Sequence, residues 1–192
     1  MHNRRLVAYV LDLVIITSFL SLCFLFFPKE KEMKEIQAQV DTLSAQYTEG
    51  QISVPHYFME MSRLEKQRSE KQTFKIIING IGILIYYMII PLFLHGATFG
   101  MKLMHLKIIS NKNKNILLAL FFRTLLLDGL LSTLLLLLGI YMISGKFYLS
   151  FISVLVLLQL LTLLASYFMV KCRSDKAGLC DFLSHSKIVA LS

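Results

Sequence analysis

The sequence predicts an all-α, polytopic integral membrane protein with four transmembrane helices and an extramembrane helical hairpin. Three observations predict it. Hydrophobic residues make up 56% of the 192 residues and the mean hydropathy is +0.64, too apolar for a soluble domain of this length. The apolar residues are gathered into four runs, Leu6 to Phe27, Phe74 to Leu94, Ile116 to Met142 and Phe147 to Val170, each near or above the roughly 20 residues that a spanning helix needs. Between the first two runs lies one sizeable polar segment whose apolar residues recur at helical spacing. A net charge of +8 would suit nucleic acid in a soluble protein. Here the cations flank membrane spans, so the lipid bilayer is the expected partner and nucleic acid is not.

The first run begins Arg4-Arg5-Leu6-Val7-Ala8-Tyr9-Val10-Leu11-Asp12, two cations followed by a helix that carries a carboxylate into the hydrocarbon. Asp12 lies roughly 9 Å below Leu6 at 1.5 Å per residue, too deep for a short side chain to reach water, so another helix should bring it a positive group. The run is longer than a signal-peptide core, and Leu22 stands where a lipoprotein box needs a small residue, so it reads as a retained anchor.

After Pro28, Met33, Ile36, Val40, Leu43 and Tyr47 alternate three- and four-residue steps, the stripe of an amphipathic helix. Gly50 and Pro55 mark a turn, and Tyr57, Met61 and Leu64 repeat the spacing. Residues 29–73 therefore read as an antiparallel hairpin inserted into a single membrane domain, 1–192. Its second arm should run into the second span as one rod of roughly 50 Å, since no proline intervenes before Pro91.

The connector from Gly96 to Ile109 interleaves apolar and basic residues, as suits the headgroup region, and Ser110 to Asn115 is polar. Lys and Arg divide almost equally between the two sides of the membrane, but the hairpin balances its cations with acids, whereas the connector and termini set theirs against only Asp175 and Asp181. The expected topology is multi-pass in a cell membrane, with both termini cytoplasmic.

The third run holds Arg123 and Asp128. Each costs roughly 2.5 to 3.5 kcal/mol near the bilayer centre, and five intervening steps place them about 140° apart on a helix, so they cannot serve one neighbour. Arg123 and Asp12 stand at similar counted depths, which makes an interhelical ion pair the natural expectation. Asp128 falls at mid-membrane opposite Gln159, which shares a face with Thr162 and Ser166. An acid among neutral groups at that depth is suited to proton or cation exchange. Asn79, Gly82 and Tyr86 share a face of the second span, as expected for close helix packing.

Nothing in the sequence forms a catalytic constellation. His2, His56, His95, His105 and His185 are scattered, and no hydrolytic triad or phosphate-cradling loop appears. Cys172, Cys180 and His185 match no common zinc spacing. No enzyme activity, cofactor or metal is expected.

Four stretches together resemble the RDD family of bacterial membrane proteins: Arg4 to Asp12, the connector from Gly96 to Ile109, the helix bearing Arg123, and the ending Leu179 to Val189. The resemblance implies that Arg5, ahead of Arg4, is the motif arginine, with Asp12 and Asp181 the two motif aspartates. It covers most of the chain except the hairpin. Departures are Phe182, where the family has a basic residue, and Lys102, which stands alone where the family has a basic pair. The resemblance implies transport of a small ligand or cation, proton-coupled in some members. The alternative is a non-transporting accessory or regulatory subunit that docks a membrane or extracytoplasmic partner through Met33, Ile36, Val40 and Leu43, whereas a transport pathway through only four helices would call for a homo-oligomer.

Overall fold

The computed structural model describes residues 2–25, 31–110, 116–173, 177–183 and 186–190. Phe26 and Phe27 at the end of the first run, Lys112 and Lys114 in the polar connector, Asp175 and His185 lie outside the described residues. The first span is α1 (His2–Leu25). The hairpin follows as α2 (Lys31–Thr48) and α3 (Val54–Lys71). The second span is α4 (Thr73–Leu84), a π-helical turn at Ile85–Ile89 and α5 (Ile90–Phe93). The connector forms the short helix α6 (Phe99–Leu103) and the strand β1 (Leu106–Ser110). Then come α7 (Ile116–Leu126), α8 (Leu130–Met142), α9 (Tyr148–Cys172), α10 (Leu179–Leu183) and the strand β2 (Ser186–Ala190).

Among the described residues three stretches are long and apolar enough to cross a membrane: Asn3–Leu25, Thr73–Phe93 and Gly145–Cys172. The fourth expected span is not one straight helix. α7 and α8 meet at 54° across Leu127, Asp128 and Gly129, each too short to cross alone at about 17 Å and about 20 Å. Gly129 adopts φ 86° at the entry to α8, a left-handed conformation that a residue with a Cβ reaches only at a cost.

The hairpin closes at Gly50, and Tyr47 stacks on Tyr57 across it with ring centroids 4.5 Å apart. Ile36 and Leu43 are buried, while Met33 and Val40 are half-buried. The stripe is thus the seam between α2 and α3, with Leu64 buried from the facing arm. This corrects the expectation that it offers an uncovered partner surface: apolar residues at heptad spacing found the nearest apolar partner, the other arm. The hairpin is also fixed to the membrane bundle. Ser62 Oγ donates to Gly145 O at 2.5 Å and accepts from Leu149 N at 2.9 Å, pinning α3 to the start of α9. The rod running into the second span is interrupted at one residue, Gln72, whose N–H still bonds Arg68 O at 3.0 Å.

At the end of the bundle that holds both termini, β1 and β2 pair antiparallel, with Leu106 opposite Ala190 and Ile108 opposite Ile188. Ile108 and Ile188 join Ala8, Met101 and Leu120 in one buried cluster. Deeper, Ile16 and Leu20 of α1 pack with Ile83, Tyr86 and Tyr87 of the second span and Leu130 of α8.

Candidate functional site

Asp12 is 2% exposed, and its partners are neutral. Tyr86 Oη donates to Oδ1 at 2.6 Å, Thr98 Oγ1 to Oδ2 at 2.5 Å, and the Gly100 backbone N–H to Oδ1 at 2.8 Å. The segment Thr98-Phe99-Gly100 makes this possible. Thr98 Oγ1 accepts from Met101 N and so caps α6, while Gly100 lets the backbone close on α1. A Cβ there would meet Ala8 O and would sit 2.8 Å from Asp12 Oδ1. The expected pairing of Asp12 with Arg123 is therefore corrected. Depth counted along separate helices left out α6, which brings a backbone donor and a hydroxyl to the carboxylate.

Arg123 belongs to a different cluster. Its Nη1 lies 3.8 Å from Asp181 Oδ1, and Arg5 Nη1 lies 3.4 Å from Asp181 Oδ2. Arg5 Nη2 also donates to Ile188 O at 2.8 Å, tying α1 to β2, and the Gly178 N–H donates to Asp181 at 3.2 Å. Both arginine side chains and Asp181 are nearly covered, at 11%, 14% and 6% exposure. The structure thus joins Arg5, Arg123 and Asp181, and it sets Asp12 apart with Tyr86, Thr98 and Gly100. Beside this cluster, burial, aided by Asp128 and Asp181 and opposed by Arg123, pushes the Cys180 thiol up to about 12. A thiol so held stays protonated and unreactive at neutral pH. Cys172, at the end of α9, is exposed.

The helix break shapes the third locus. Gln159 Nε2 donates to Leu127 O at 2.8 Å and reaches Leu126 O at 3.5 Å, while its Oε1 accepts from Ser132 Oγ at 2.9 Å. One amide therefore satisfies carbonyls that α7 leaves open where it ends. The expectation that the Gln159, Thr162 and Ser166 face would receive Asp128 is corrected: the amide is spent on backbone, and Thr162 bonds Leu158 O of its own helix. Both Asp128 oxygens are buried with no hydrogen-bond partner among the described residues, and the Tyr87 hydroxyl is in the same condition. Tyr86 and Tyr87 stand side by side on the π-turn, rings 4.9 Å apart at 78°. One phenol binds Asp12, and the other lies within the field of Asp128.

Three features escaped the sequence reading. Thr98 and Gly100 carried a signal in the form of a helix-capping threonine two residues before a glycine. The break carried one in the Asp128-Gly129 dipeptide, a turn signal even within a leucine run. The reach of Asp181 to both arginines carried none in spacing or periodicity, and only the family resemblance set Asp181 beside Arg5 and the helix bearing Arg123.

Three apolar helices long enough to cross a membrane, a bent apolar helix pair with a carboxylate at its bend, and a bundle end tied by a buried Arg–Asp–Arg cluster, all among the described residues, define a polytopic helical membrane protein with ionisable groups built into its interior. The chain belongs to the RDD family, which it matches over residues 2–185. No curated protein and no solved structure matches it.

Proposed function

We infer that this RDD-family protein is a small carrier that moves a cation or small ligand in a proton-coupled way, with Asp128 as the exchanging group. One observation carries the reading. The Asp128 carboxylate is buried at a break in a membrane helix with no hydrogen-bond partner among the described residues. An ionisable side chain at that depth costs several kcal/mol, and such residues mark ion and proton pathways in membrane proteins. Helices broken at mid-membrane serve carriers for the same reason, because the interruption offers polar groups where a continuous helix has none. In this reading Gln159 and Ser132 hold the break open, the buried Tyr87 hydroxyl is a neutral group available to relay a proton, and the Arg5–Asp181–Arg123 cluster positions α1 and α7 around it. The uneven cation distribution supports termini in the cytoplasm and the hairpin outside.

The test is proton flux in proteoliposomes loaded with a pH-sensitive dye and challenged with sodium, potassium or lithium gradients. The native protein should dissipate a pH gradient on cation addition, and Asp128→Asn should reduce the rate at least tenfold while the purified protein remains folded. Absence of flux from a well-folded native sample overturns the reading.

A further inference from the structure

α1 and α7 both enter the bundle from the end that holds the termini, and Asp181 sets them in register, because Arg5 on α1 and Arg123 on α7 reach the same carboxylate. One turn deeper on each helix, about 6 Å, stand Tyr9 and Leu127. Both share the wall of a cavity of about 300 Å³ with the two arginines, Asp181 and Ser166. Asp128 follows Leu127, and its two oxygens are buried. Tyr9 is thus a phenol placed between the cavity and the helix break.

The fields at Asp128 support this placement. They come from Arg123 on α7, Asp12 and Tyr9 on α1, Tyr87 on the second span and Cys180 on α10. Of the three neutral groups, Tyr87 is not on the cavity wall, and the Cys180 thiol is on it but is a weak donor and a weak acceptor. Tyr9 is on the wall and carries a hydroxyl that can donate and accept at once. The cavity has room for several waters at roughly 30 Å³ each, and its charged end supplies the polar neighbours that ordered water needs. The leucines of α9 form its flank, where Leu160 is 51% exposed.

We propose that Tyr9 relays protons between water in this cavity and Asp128. The proposal rests on Asp128 as the exchanging group and names the residue through which it is reached from the side of the termini. In the inward hop the Tyr9 oxygen takes a proton from a hydronium ion in the cavity while its own O–H bond breaks. The released proton passes, directly or through one water, to an Asp128 oxygen. One proton crosses, Tyr9 ends neutral, and the carboxylate becomes a carboxylic acid. The outward hop is the reverse.

The test reads the protonation of Asp128 itself, by infrared spectroscopy of the full chain in lipid vesicles after a rapid drop in pH. The Asp128 carboxylic acid band is the difference between the native protein and Asp128→Asn. The native protein should gain the band, and Tyr9→Phe should reach the same final amplitude at least tenfold more slowly. Equal amplitude reports that the surroundings of Asp128 are intact. Tyr167→Phe, which removes another phenol from the same wall, should leave the rate unchanged. In a background with Cys23, Cys172 and Cys180 replaced, Tyr9→Cys should react with a charged, membrane-impermeant thiol reagent added on the side of the termini, at least tenfold faster than Leu160→Cys on the exposed flank. No Asp128 band in the native protein would overturn the relay together with the exchanging role of Asp128. A native rate or a lost band in Tyr9→Phe, equal slowing in Tyr167→Phe, or a Tyr9→Cys no more reactive than Leu160→Cys would overturn the relay alone.

Discussion

Asp181 contacts two arginines, and this makes the consequences of removing each member unequal. Arg123→Gln leaves Asp181 its 3.4 Å contact with Arg5 and its bond from Gly178 N, so the loss should be about 1 to 2 kcal/mol, below the roughly 3 to 5 kcal/mol of a buried charge that loses its only partner. Asp181→Asn takes from two buried guanidiniums the carboxylate they share, which belongs with the loss of one partner from a buried ion pair, about 3 to 5 kcal/mol. The Arg123–Asp181 coupling in a double-mutant cycle should reach about 1 to 3 kcal/mol. Asp12 shares no partner with Arg123, so Asp12→Asn and Arg123→Gln should add within about 0.5 kcal/mol. Unfolding of the purified protein in mixed micelles, followed by circular dichroism during titration with dodecyl sulfate, measures all of these. Stronger coupling of Arg123 to Asp12 than to Asp181, or a smaller loss from Asp181→Asn than from Arg123→Gln, would refute the assignment.

Other outcomes follow from the same contacts. Gly100→Ala should cost about 2 to 4 kcal/mol in that assay, since the new methyl must displace both the Ala8 carbonyl and the Asp12 carboxylate. Cys172 should react with a maleimide at pH 8 while Cys180 stays unmodified until the protein unfolds. Because burial raises the Cys180 pKa, its contribution to stability is full below the ordinary thiol value and is lost as pH rises toward about 12; equal labelling at pH 8 would contradict this. A cysteine in place of Ser53, exposed in the hairpin turn, should react with an impermeant reagent outside cells, and one in place of the exposed Lys102 should not. The reverse pattern would invert the topology.

The membrane spans were legible because run length alone reports them: Leu6 to Phe27 and Phe147 to Val170 cover most of α1 and α9. The hairpin was legible from Ile36, Leu43 and Leu64, since heptad spacing is a local property. What that spacing could not reveal is whether the stripe met the other arm or a foreign protein. The break at Asp128 was hidden because a hydropathy sum over Ile116 to Met142 counts leucines and is insensitive to Gly129 at φ 86°. The partner of Asp12 was hidden for a different reason. Counting turns along α1 and α7 gives depth but not azimuth, and the donors came from Tyr86 on another span and from α6, a helix of 5 residues that no periodicity announces. The β1–β2 ribbon joins Leu106-Lys107-Ile108 to Ile188-Val189-Ala190, strands too short and too distant in sequence for an alternation pattern to pair them.

A carboxylate that exchanges protons or cations at the helix break must reach both sides of the membrane, and the most direct measurement is the chemical accessibility of position 128. In a background with Cys23, Cys172 and Cys180 replaced, Asp128→Cys reconstituted in vesicles of known orientation should react with a small, charged, membrane-impermeant thiol reagent added to either face, because an exchanger must open the break to each side in turn. Reaction from neither face, or from one face only under cation gradients of both directions, would contradict the account.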